Sequence, residues 1–579
     1  MTLPKPNVAE NIELQFAQSK ASYPGVSIKP LDGEFWDFSE FTCLEVSVTN
    51  TGANAVYATV RVDNKVDWDK KPWNSAAVRL APGDMKAMRV FFGYGPRGPA
   101  FPLDTSKVSQ VLFFTGKAGE GQALKVNSIH LTQRPSPFRP DVKPPEGYLI
   151  GGKVDSPAKE YVAQNGAQFK GGAGSEPLAV AFSEAGQLLE IKPVENALWD
   201  LRAGYQLELV VRNVGSSPVS PSLQGISDNG DTEPGRAAQP IVPGKTGTIV
   251  ASFLSDAPRN VGKHPYFKSN KASAVSISAI DQAGVGRFVV ESLRLTAPPI
   301  TLPEWVGKRP PVSGDWKLTF EDDFEGEGID RTKWNVIAPN YYEKISRFSK
   351  DNVIVKDGKA TLLFEKRAGY HGDDPNYPRH NEYSTGFMST YGKWVQRYGY
   401  FEARMKLPEA PGLWPAFWLM PDRGIDAGPQ WTRADIGNGG MEFDIMEFLS
   451  GWGPYLFTTA FHYDGYGKDH KATGSKVYTG HDAEGYITTG LLWLPGLAVI
   501  YNNGEEVVRW ETDRISNVQS NIIFTNVAGG WDNLPLDNKQ LPAGFEIDYV
   551  RVWQRADLAS DVDGVQSTQP TIEASTTKD

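Results

Sequence analysis

Residues 439–448 read GGMEFDIMEF and place three acidic side chains within six positions. A β-strand through this stretch puts Glu442 and Asp444 on one face, because side chains two positions apart share a face. The opposite face is then filled by Met441, Phe443 and Ile445. Glu447 has the wrong parity for the acidic face, and one extra residue at positions 445–446 would turn it back. The sequence therefore predicts a bulged strand with three acids on one face.

Three like charges on one face repel one another, so a purely structural role for them is unfavourable. They make chemical sense as a catalytic set in which one carboxylate attacks, one donates a proton and the middle one tunes the pair. A solvated acidic strand is the alternative. Aromatic residues on both sides of the stretch disfavour it, because such rings stack on the faces of sugars.

Four tryptophans near the acids are candidates for contact with sugar. Trp414 and Trp418 lie four positions apart on an apparent strand and so share a face, although one of them also fits a core position. Trp431 precedes the acidic strand in a loop and is the stronger candidate. Trp452 stands between two glycines and is predicted to lie at the rim of a groove.

The segment from Glu442 to Glu447 resembles the E-x-D-x-x-E signature of family 16 glycoside hydrolases in its bulged form. The resemblance runs from about Trp316 to Gln554 and covers several motifs in the right order. Residues 316–320 are similar to the family's entry strand, and later core strands are matched at residues 399–404, 414–418 and 547–553. The resemblance implies an all-β fold with a C-terminal β-jelly roll, two antiparallel sheets with a groove across one of them.

The family resemblance also implies a role for each acid. Glu442 is the expected nucleophile, which forms a covalent glycosyl-enzyme, and Glu447 is the expected general acid and base of a retaining reaction. Asp444 is expected to hydrogen-bond the nucleophile and to influence the proton balance of the set. His462 resembles the histidine beside the acids in bulged members of the family, with a satisfied core histidine as the alternative.

A structural calcium ion is a further implication of the family. Its hard oxygen ligands are expected from the carboxylates of Asp323 and Asp548 and the carbonyl of Gly358, with ordinary surface acids as the alternative. Motifs for a catalytic zinc, such as HExxH or CxxC, do not occur in the sequence. No cofactor is therefore expected for catalysis.

The composition of the chain limits which classes of partner and which cellular locations are expected. The chain has 579 residues and a net charge of −10 without a long basic run, which predicts several domains and argues against nucleic acid as a partner. A run of the roughly 18 apolar residues that a membrane helix needs is missing, so no membrane partner is expected. A polysaccharide substrate predicts a secreted, periplasmic or cell-surface protein whose signal peptide has been removed, because residues 1–6 lack an apolar signal core.

Residues 1–300 contain an internal repeat. Three short motifs recur 163 positions later: Phe35-Trp36-Asp37 as Leu198-Trp199-Asp200, Leu44-Glu45-Val46 as Leu207-Glu208-Leu209, and Asn50-Thr51-Gly52 as Asn213-Val214-Gly215. Each copy alternates apolar and polar residues between turn signals, which predicts a β-sandwich.

Proline-rich segments at residues 135–145 and 297–311 mark linkers between domains. The predicted order is a carbohydrate-binding-like β-sandwich at 1–140, its repeat at 141–300, a family 16 catalytic jelly roll at 301–555 and a disordered tail at 556–579. The tandem sandwiches are expected to help hold polymer, with a role as structural spacers as the alternative, and Trp68 and Trp73 are the exposed aromatic candidates in the first copy. A monomer is expected.

Basic residues near the predicted groove suggest the substrate. Arg423 and Arg433 suit sulfate esters, because an arginine fork donates paired, charge-assisted hydrogen bonds. The predicted partner is therefore an algal cell-wall polysaccharide, a sulfated galactan of the carrageenan or furcellaran type cleaved at β-1,4 linkages. The alternatives are a laminarinase-type endo-β-1,3-glucanase, an agarase or porphyranase, a transglycosylase and a non-catalytic carbohydrate-binding protein.

Overall fold

The structure, a computed structural model, describes residues 12–16, 23–30, 34–65, 73–95, 98–99, 103–116, 119, 121–133, 141–152, 158–172, 176–194, 197–255, 258–262, 264–338, 345–530 and 533–558. It divides into two compact units, Met1–Pro140 and Asp141–Asp579. Strands dominate both units, which confirms the predicted all-β fold class. Among the described residues, none of the helices has the length and the apolar character needed to span a membrane.

The first unit is built from two four-stranded antiparallel sheets, ordered β1-β10-β3-β6 and β2-β9-β4-β5, and one two-stranded sheet, β7-β8. The strands are β1 (Ile12–Phe16), β2 (Gly25–Ile28), β3 (Cys43–Asn50), β4 (Val56–Asn64), β5 (Trp73–Leu80), β6 (Met85–Phe91), β7 (Tyr94–Gly95), β8 (Gly98–Pro99), β9 (Val108–Phe114) and β10 (Gln122–Thr132). Every second residue of β3 is buried, because alternate side chains point into the core. The core of this unit includes Leu44, Val46, Val60, Val111 and Val126.

The second sandwich opens the second unit with two further sheets, ordered β11-β17-β22-β16-β13 with β19 on β22, and β14-β15-β23-β18-β20 with β12 on β23. The strands are β11 (Asp141–Val142), β12 (Tyr148–Ile150), β13 (Lys159–Gln164), β14 (Gln168–Lys170), β15 (Leu178–Phe182), β16 (Leu188–Pro193), β17 (Leu198–Trp199), β18 (Gln206–Asn213), β19 (Ser222–Ser227), β20 (Thr246–Ser252), β21 (Arg259–Asn260), β22 (Ala272–Ser278) and β23 (Gly286–Thr296).

Strands β3 and β18, which carry the repeated motifs, are both eight residues long and both end on an asparagine. The Asn50 amide donates to the carbonyls of Asn54 and Leu80 and accepts from the N–H of Gly52. The Asn213 amide does the same with Ser217, Ile241 and Gly215. The repeated asparagine therefore has the same structural role in both copies: its side chain hydrogen-bonds backbone groups in and near the turn that follows the strand.

The C-terminal part of the chain stacks two large sheets. The front sheet is ordered β31-β40-β33-β34-β35-β36, and the back sheet is ordered β21-β39-β38-β37-β32-β41-β27-β26 with β24 on β41. The strands are β24 (Trp316–Asp322), β25 (Ser346–Phe348), β26 (Val353–Lys356), β27 (Lys359–Phe364), β28 (Gly369–Tyr370), β29 (His380–Asn381), β30 (Tyr383–Thr385), β31 (Phe387–Ser389), β32 (Gly399–Lys406), β33 (Leu413–Pro421), β34 (Glu442–Glu447), β35 (Leu456–Tyr463), β36 (Lys471–Tyr478), β37 (Ile487–Leu494), β38 (Leu497–Asn502), β39 (Glu505–Glu511), β40 (Ser520–Ala528) and β41 (Ala543–Arg555).

In the part of the chain that the structure describes, helices are few and short. One α-helical turn, α1, spans Gln430–Arg433. The 3-10 turns are Thr105–Lys107, Pro145–Gly147, Ser269–Lys271, Gln282–Gly284, Lys350–Asn352, His371–Asp373, Ile425–Ala427, Ser450–Trp452, Asn538–Gln540 and Ala556–Leu558. The predicted tail therefore begins with a 3-10 turn, and its remaining residues, 559–579, lie outside the described part of the chain, as does Trp68.

The main core lies between the front and back sheets. Phe401 of the back sheet and Phe443 of the front sheet are fully buried in it together with Trp493. Met441 and Ile445 are also fully buried there, which confirms the predicted apolar face of the acidic strand. The acids are left on the other face of the front sheet.

The second sandwich shares its core with the C-terminal part. Leu449, Trp452, Leu456 and Tyr478 belong to the same buried cluster as Leu207. The Tyr478 hydroxyl donates to the carbonyl of Phe267 at 2.8 Å, and Arg202 donates to the carbonyl of Gly451 at 2.8 Å. Residues 297–311, predicted as a spacer, are also docked, because the N–H of Gly307 donates to Glu402 of β32 at 2.8 Å.

Candidate active site

Strand β34 carries the bulge that its acidic residues require. Asp444 pairs with Ala460 of β35, whereas Glu447 pairs with Thr458, so two residues of β34 face one residue of its neighbour. The register of β34 against β33 shifts at the same place. The extra residue reverses the parity of the strand, and Glu442, Asp444 and Glu447 all line one cavity as predicted.

This cavity has a volume of about 570 Å³ and crosses the front sheet. Its lining begins at Thr525 and Val527 of β40, includes Trp414 and Trp418 of β33, and continues over β34 and β35. It ends at Ala472, Thr473 and Gly474 of β36, the last strand of the sheet. A ligand that fills it therefore lies across the strands and over the acids.

The acids are buried and have few partners. Asp444 is 3% exposed and Glu447 is 6% exposed, while Glu442 is partly buried. The indole N–H of Trp414 donates to Glu447 Oε1 at 3.2 Å. Thr459 fixes the backbone at the bulge by donating to the Asp444 carbonyl at 2.7 Å. Glu447 therefore keeps most of its hydrogen-bonding capacity for a substrate.

His462 lies directly opposite Glu442 on β35. Its Nε2 is 3.4 Å from Asp444 Oδ2, and its Nδ1 is 3.0 Å from Nε2 of His470, whose ring stacks on it. Burial and the neighbouring His470 lower the pKa of His462 to about 4, so the ring is neutral at ordinary pH. Within the described ranges, Glu442, Asp444 and His462 are the one set of acidic and histidine side chains close enough to share a metal ion.

Burial raises the pKa of all three acids. The pKa of Glu442 rises to about 8, with the charge of Glu447 adding to the effect of burial, and the pKa of Asp444 rises well above its usual range. Burial raises the pKa of Glu447 to about 7, although the Trp414 N–H and the charge of Lys476 oppose this rise. The three groups titrate as a set, and the set keeps at least one proton at neutral pH, as general acid catalysis needs.

Residues 341–551, which include β34 and the cavity, match the sequence profile of the family described as Glycosyl hydrolases family 16. This region is a family 16 glycosyl hydrolase domain. The family named from the E-x-D-x-x-E stretch is thereby confirmed for this part of the chain, and the two sandwiches before it lie outside the match.

Relatives of the family 16 domain include several glucanases. A glucan endo-1,3-beta-glucosidase A1 of Niallia circulans is 25% identical in an alignment 287 residues long that covers 42% of this chain and 39% of the relative. A keratan-sulfate endo-1,4-beta-galactosidase of Sphingobacterium multivorum is 26% identical over 256 residues, 42% of this chain and 56% of the relative. The catalytic domain of a laminarinase from Thermotoga petrophila RKU-1 is 23% identical in structural comparison, with a TM-score of 0.36, and covers 42% of this chain and all of that domain. The chain thus spans well under two thirds of both full-length relatives.

The predicted aromatic residues fall into two groups. Trp414 and Trp418 line the cavity of the family 16 domain, as their shared face predicts. Trp431 is 67% exposed on α1 and is not part of the cavity lining. Trp452 is only 6% exposed and packs in the core shared with the second sandwich, so its predicted place at the rim is wrong.

Both arginines predicted to bind sulfate have structural partners instead. Arg433 is buried and donates from two nitrogens to the fully buried carboxylate of Asp422, at 2.8 and 3.0 Å. Arg423 donates to the backbone carbonyls of Asp435 at 2.5 Å and Gly437 at 2.8 Å. Neither side chain lines the cavity, so both lie away from the position predicted for them, and both hold the loop that precedes β34.

The predicted calcium ligands also have other partners. Asp323 is paired with Arg551 and Asp548 is paired with Arg404, each at 2.8 Å. Gly358 lies in the turn between β26 and β27. The two arginines supply positive charge to these carboxylates, and the calcium site stays a prediction.

Lys476 is a residue of the site that the sequence did not reveal. It lies opposite Thr458, which in turn lies opposite Glu447, so the three form one row across β36, β35 and β34. Its charge favours the ionised form of Glu447 and opposes the effect of burial on that acid's pKa. Strand register between β35 and β36 is the signal that identifies it, and register cannot be seen in one strand's sequence.

Proposed function

We propose that this chain is a retaining endo-β-glycosidase that hydrolyses a polysaccharide. The observation that carries the proposal is the bulged strand β34, which aims three buried acids into one cavity that crosses the front sheet. The tryptophans of β33 in the same cavity support a sugar ligand. The cavity extends across five strands, which supports binding of an extended polymer and cleavage at its internal linkages.

Two carboxylates carry the proposed reaction. Glu442 attacks the anomeric carbon while Glu447, whose pKa burial raises to about 7, donates its proton to the leaving oxygen. Glu447 then acts as the base that activates water against the glycosyl-enzyme. No cofactor is needed for either step.

Asp444 and His462 set the proton balance of this pair. The hydrogen bond between Asp444 and Glu442 favours the ionised form of Glu442 and the protonated form of Asp444. A proton on Asp444 thus favours the charged form of Glu442 that the attack needs, and opposes burial and the charge of Glu447, which raise the pKa of Glu442. Neutral His462, 3.4 Å from Asp444, is placed to hydrogen-bond either this carboxyl or the sugar.

We infer that the substrate is a neutral β-glucan, cleaved at β-1,3 or mixed β-1,3 and β-1,4 linkages. Of the described residues that line the cavity, none is an arginine or a lysine, and a sulfated polymer would leave its charges unpaired there. The name of the Niallia circulans relative agrees with this inference. Hydrolysis of such a polymer places the enzyme outside the cytoplasm, secreted, periplasmic or at the cell surface.

A sulfated β-galactan remains the second candidate. The relative from Sphingobacterium multivorum, named as a keratan-sulfate endo-1,4-beta-galactosidase, favours it. Lys476, whose charge acts on Glu447, is a cation near the acids, although it does not line the cavity. Carrageenan, furcellaran and porphyran belong to this candidate, and agar is a further β-galactan alternative.

A panel digestion tests the proposal. Laminarin, mixed-linkage β-glucan, agarose, porphyran, carrageenans, furcellaran and keratan sulfate are incubated with the full chain, and new reducing ends and product lengths are measured. We expect oligosaccharides from laminarin or mixed-linkage glucan and products of retained anomeric configuration. Cleavage of a sulfated galactan alone would replace the first candidate by the second, and binding without cleavage of any polymer would refute an enzyme. Longer products than the substrate would identify a transglycosylase.

The two sandwiches are proposed to hold polymer. In the first copy, the guanidinium of Arg61 lies 4.9 Å from the ring centroid of Trp73, which is partly buried in β5. Retardation of the full-length Glu442→Gln variant in polysaccharide gels, with and without Trp73→Ala, tests this role. Equal mobility of the two proteins in every gel would contradict binding at Trp73.

A further inference from the structure

Residues 464–470, here called the hairpin loop, carry an exposed tyrosine at the active-site cavity. The loop joins the end of β35 at Tyr463 to the start of β36 at Lys471. Tyr466 is 57% exposed to solvent, yet it is one of the residues that line the cavity. The wall of the cavity therefore includes an aromatic residue from a loop, whose position cannot be predicted from strand parity.

The side chain of Tyr466 extends back over the front sheet. Its hydroxyl donates to Sδ of Met420 on β33 at 3.7 Å. Leu419 pairs with Phe443 across β33 and β34, so Met420, the next residue of β33, lies beside Glu442. The end of the tyrosine side chain therefore reaches the strand next to β34, at the level of the proposed nucleophile.

The same ring contacts a pair of stacked histidines. The ring centroids of Tyr466 and His470 are 5.6 Å apart, and the ring of His470 stacks on that of His462 with centroids 5.1 Å apart. His462 lies directly opposite Glu442 on β35. Because Met420 and His462 flank Glu442 on its two sides, Tyr466 spans the strand that carries the nucleophile.

Ion pairs and backbone hydrogen bonds hold the base of the hairpin loop. The N–H of Asp464 donates to the carbonyl of Ile436 at 3.2 Å, and its carboxylate accepts from Arg514 at 2.8 Å and from Lys471 at 2.9 Å. Arg514 also donates to the carbonyl of Gly440, in the segment that leads into β34, at 2.8 Å. A loop held in this way loses little conformational entropy when it binds a ligand.

We propose that Tyr466 is a substrate-binding residue that packs against the hexose unit which becomes attached to Glu442. A tyrosine suits this place, because its ring packs against the apolar face of a sugar while its exposed hydroxyl meets water or a sugar hydroxyl. The sugar next to the nucleophile is the one that the ring can reach, since Tyr466 spans β34 at Glu442. This inference rests on the proposed function, because it assigns a further residue to the same cavity.

The test uses substrates that carry sugars only on the side of the cleaved bond that becomes attached to Glu442. The full-length wild type, Tyr466→Ala and Tyr466→Phe hydrolyse the nitrophenyl β-glycoside of laminaribiose, or of the corresponding disaccharide of the polymer cleaved in the panel. We expect Tyr466→Ala to lower kcat/KM roughly tenfold, because the ring contact is lost. Tyr466→Phe keeps the ring and should stay within about twofold of the wild type, since methionine sulfur is a weak acceptor.

Tyr370→Ala is the matched control. Tyr370 is a second exposed tyrosine of the family 16 domain, with its ring 4.9 Å from that of His380, and it does not line the cavity. Its kinetics should follow the wild type. An unchanged kcat/KM in Tyr466→Ala, or an equal loss in Tyr466→Phe or Tyr370→Ala, would overturn the proposal. A loss that appears only with oligosaccharides, and not with the nitrophenyl glycoside, would place Tyr466 at the leaving sugar and would overturn it as well.

A binding measurement separates this inference from the proposed function. Calorimetric affinities for oligosaccharides of the panel polymers are measured in the Glu447→Gln background, with Tyr466 intact, replaced by Ala and replaced by Phe. If the wild type binds an oligosaccharide without cleaving it, the proposed function fails, and a weaker affinity in Tyr466→Ala alone still supports the contact with sugar. If cleavage occurs and neither affinity nor kcat/KM responds to Tyr466, only the contact fails. A chain that binds no saccharide of the panel would contradict both.

Discussion

Two buried glutamates on facing sheets have similar acidities and different surroundings. Burial raises the pKa of Glu402 in the back sheet and of Glu447 in the front sheet to about 7. Glu402 accepts hydrogen bonds from the hydroxyls of Tyr400 and Tyr549 and from the N–H of Gly307, at 2.8–3.0 Å. Glu447 accepts one bond, from Trp414 at 3.2 Å, and its carboxylate lines the cavity.

The difference lies in the number of partners, which separates a structural acid from a catalytic one. The carboxylate of Glu402 accepts three hydrogen bonds, and those from Tyr549 and Gly307 connect β32 to β41 and to the segment around Gly307. Glu447 keeps its remaining lone pairs for a substrate. A strongly raised pKa by itself therefore does not identify a catalytic residue, and the partner count must be read with it.

The largest expected effect comes from removing a carboxylate that acts on the substrate. Glu442→Gln and Glu447→Gln should each lower kcat by roughly a thousandfold or more, about 4 kcal/mol of barrier, because the nucleophile or the proton donor is lost with little change of volume. Glu402→Gln should keep kcat within about tenfold of the wild type. Initial rates of reducing-end release measure this, and circular dichroism controls for folding. A Glu402→Gln enzyme as inactive as Glu447→Gln would remove the distinction between the two acids.

A third buried carboxylate, Asp422, is neutralised by an arginine rather than by hydrogen-bond donors alone. Arg433→Ala should lower the free energy of unfolding by roughly 3–5 kcal/mol, because it leaves the Asp422 charge buried and unpaired. Chemical denaturation measures the loss. The ratio of kcat/KM on sulfated and neutral polymers should be unchanged, with Arg309→Ala in the segment after residue 300 as an exposed-arginine control. A loss of kcat/KM on the sulfated polymer alone would mean that Arg433 binds the substrate after all.

Replacing Glu402 should alter stability in a way that depends on pH. In the folded state its pKa is raised, so the protonated form contributes stability below the unfolded pKa, and this is lost as pH rises through about 7. Glu402→Gln should cost roughly 1–3 kcal/mol at pH 5, where it disturbs three hydrogen bonds. The difference from wild type should shrink by more than about 1 kcal/mol at pH 9, where the wild type must ionise a buried carboxyl. Urea denaturation at both pH values measures the free energies of unfolding. The same difference between variant and wild type at pH 5 and pH 9 would contradict the raised pKa of Glu402.

The smallest expected effect concerns the single donor to Glu447. Trp414→Phe keeps an aromatic ring in the cavity and removes the N–H that holds the pKa of Glu447 down, so that pKa should rise further. The limb of the kcat pH profile that reports the general acid should move to higher pH by roughly 0.5 unit. Trp418→Phe, on the same strand and in the same cavity, is the control. A shift to lower pH would mean that the indole N–H does not stabilise the Glu447 carboxylate.

The acids and the fold class were accessible from the sequence because they depend on local rules. Strand parity places Glu442 and Asp444 together, and the mismatch of Glu447 requires the bulge that the structure contains. Arg433 and Trp452 were misassigned, since the side that a loop residue faces is decided by packing against distant segments, here Asp422 and the second sandwich. Nothing in the sequence indicated that Glu402 is buried, because its position in the strand is ordinary. Glu402 is buried only because the segment around Gly307 docks over it.

The core shared by the second sandwich and the family 16 domain has a consequence during synthesis. The second sandwich is complete once Thr296 has been added, yet part of its apolar cluster is supplied by Leu449, Trp452 and Tyr478. Tyr478 follows Thr296 by 182 residues, so at ribosomal speeds an apolar face stays uncovered for roughly 10–40 s. Over that time the exposed apolar face makes the nascent chain prone to aggregation unless chaperones cover it. The yield in cells should therefore depend on how quickly residues 297–478 are translated.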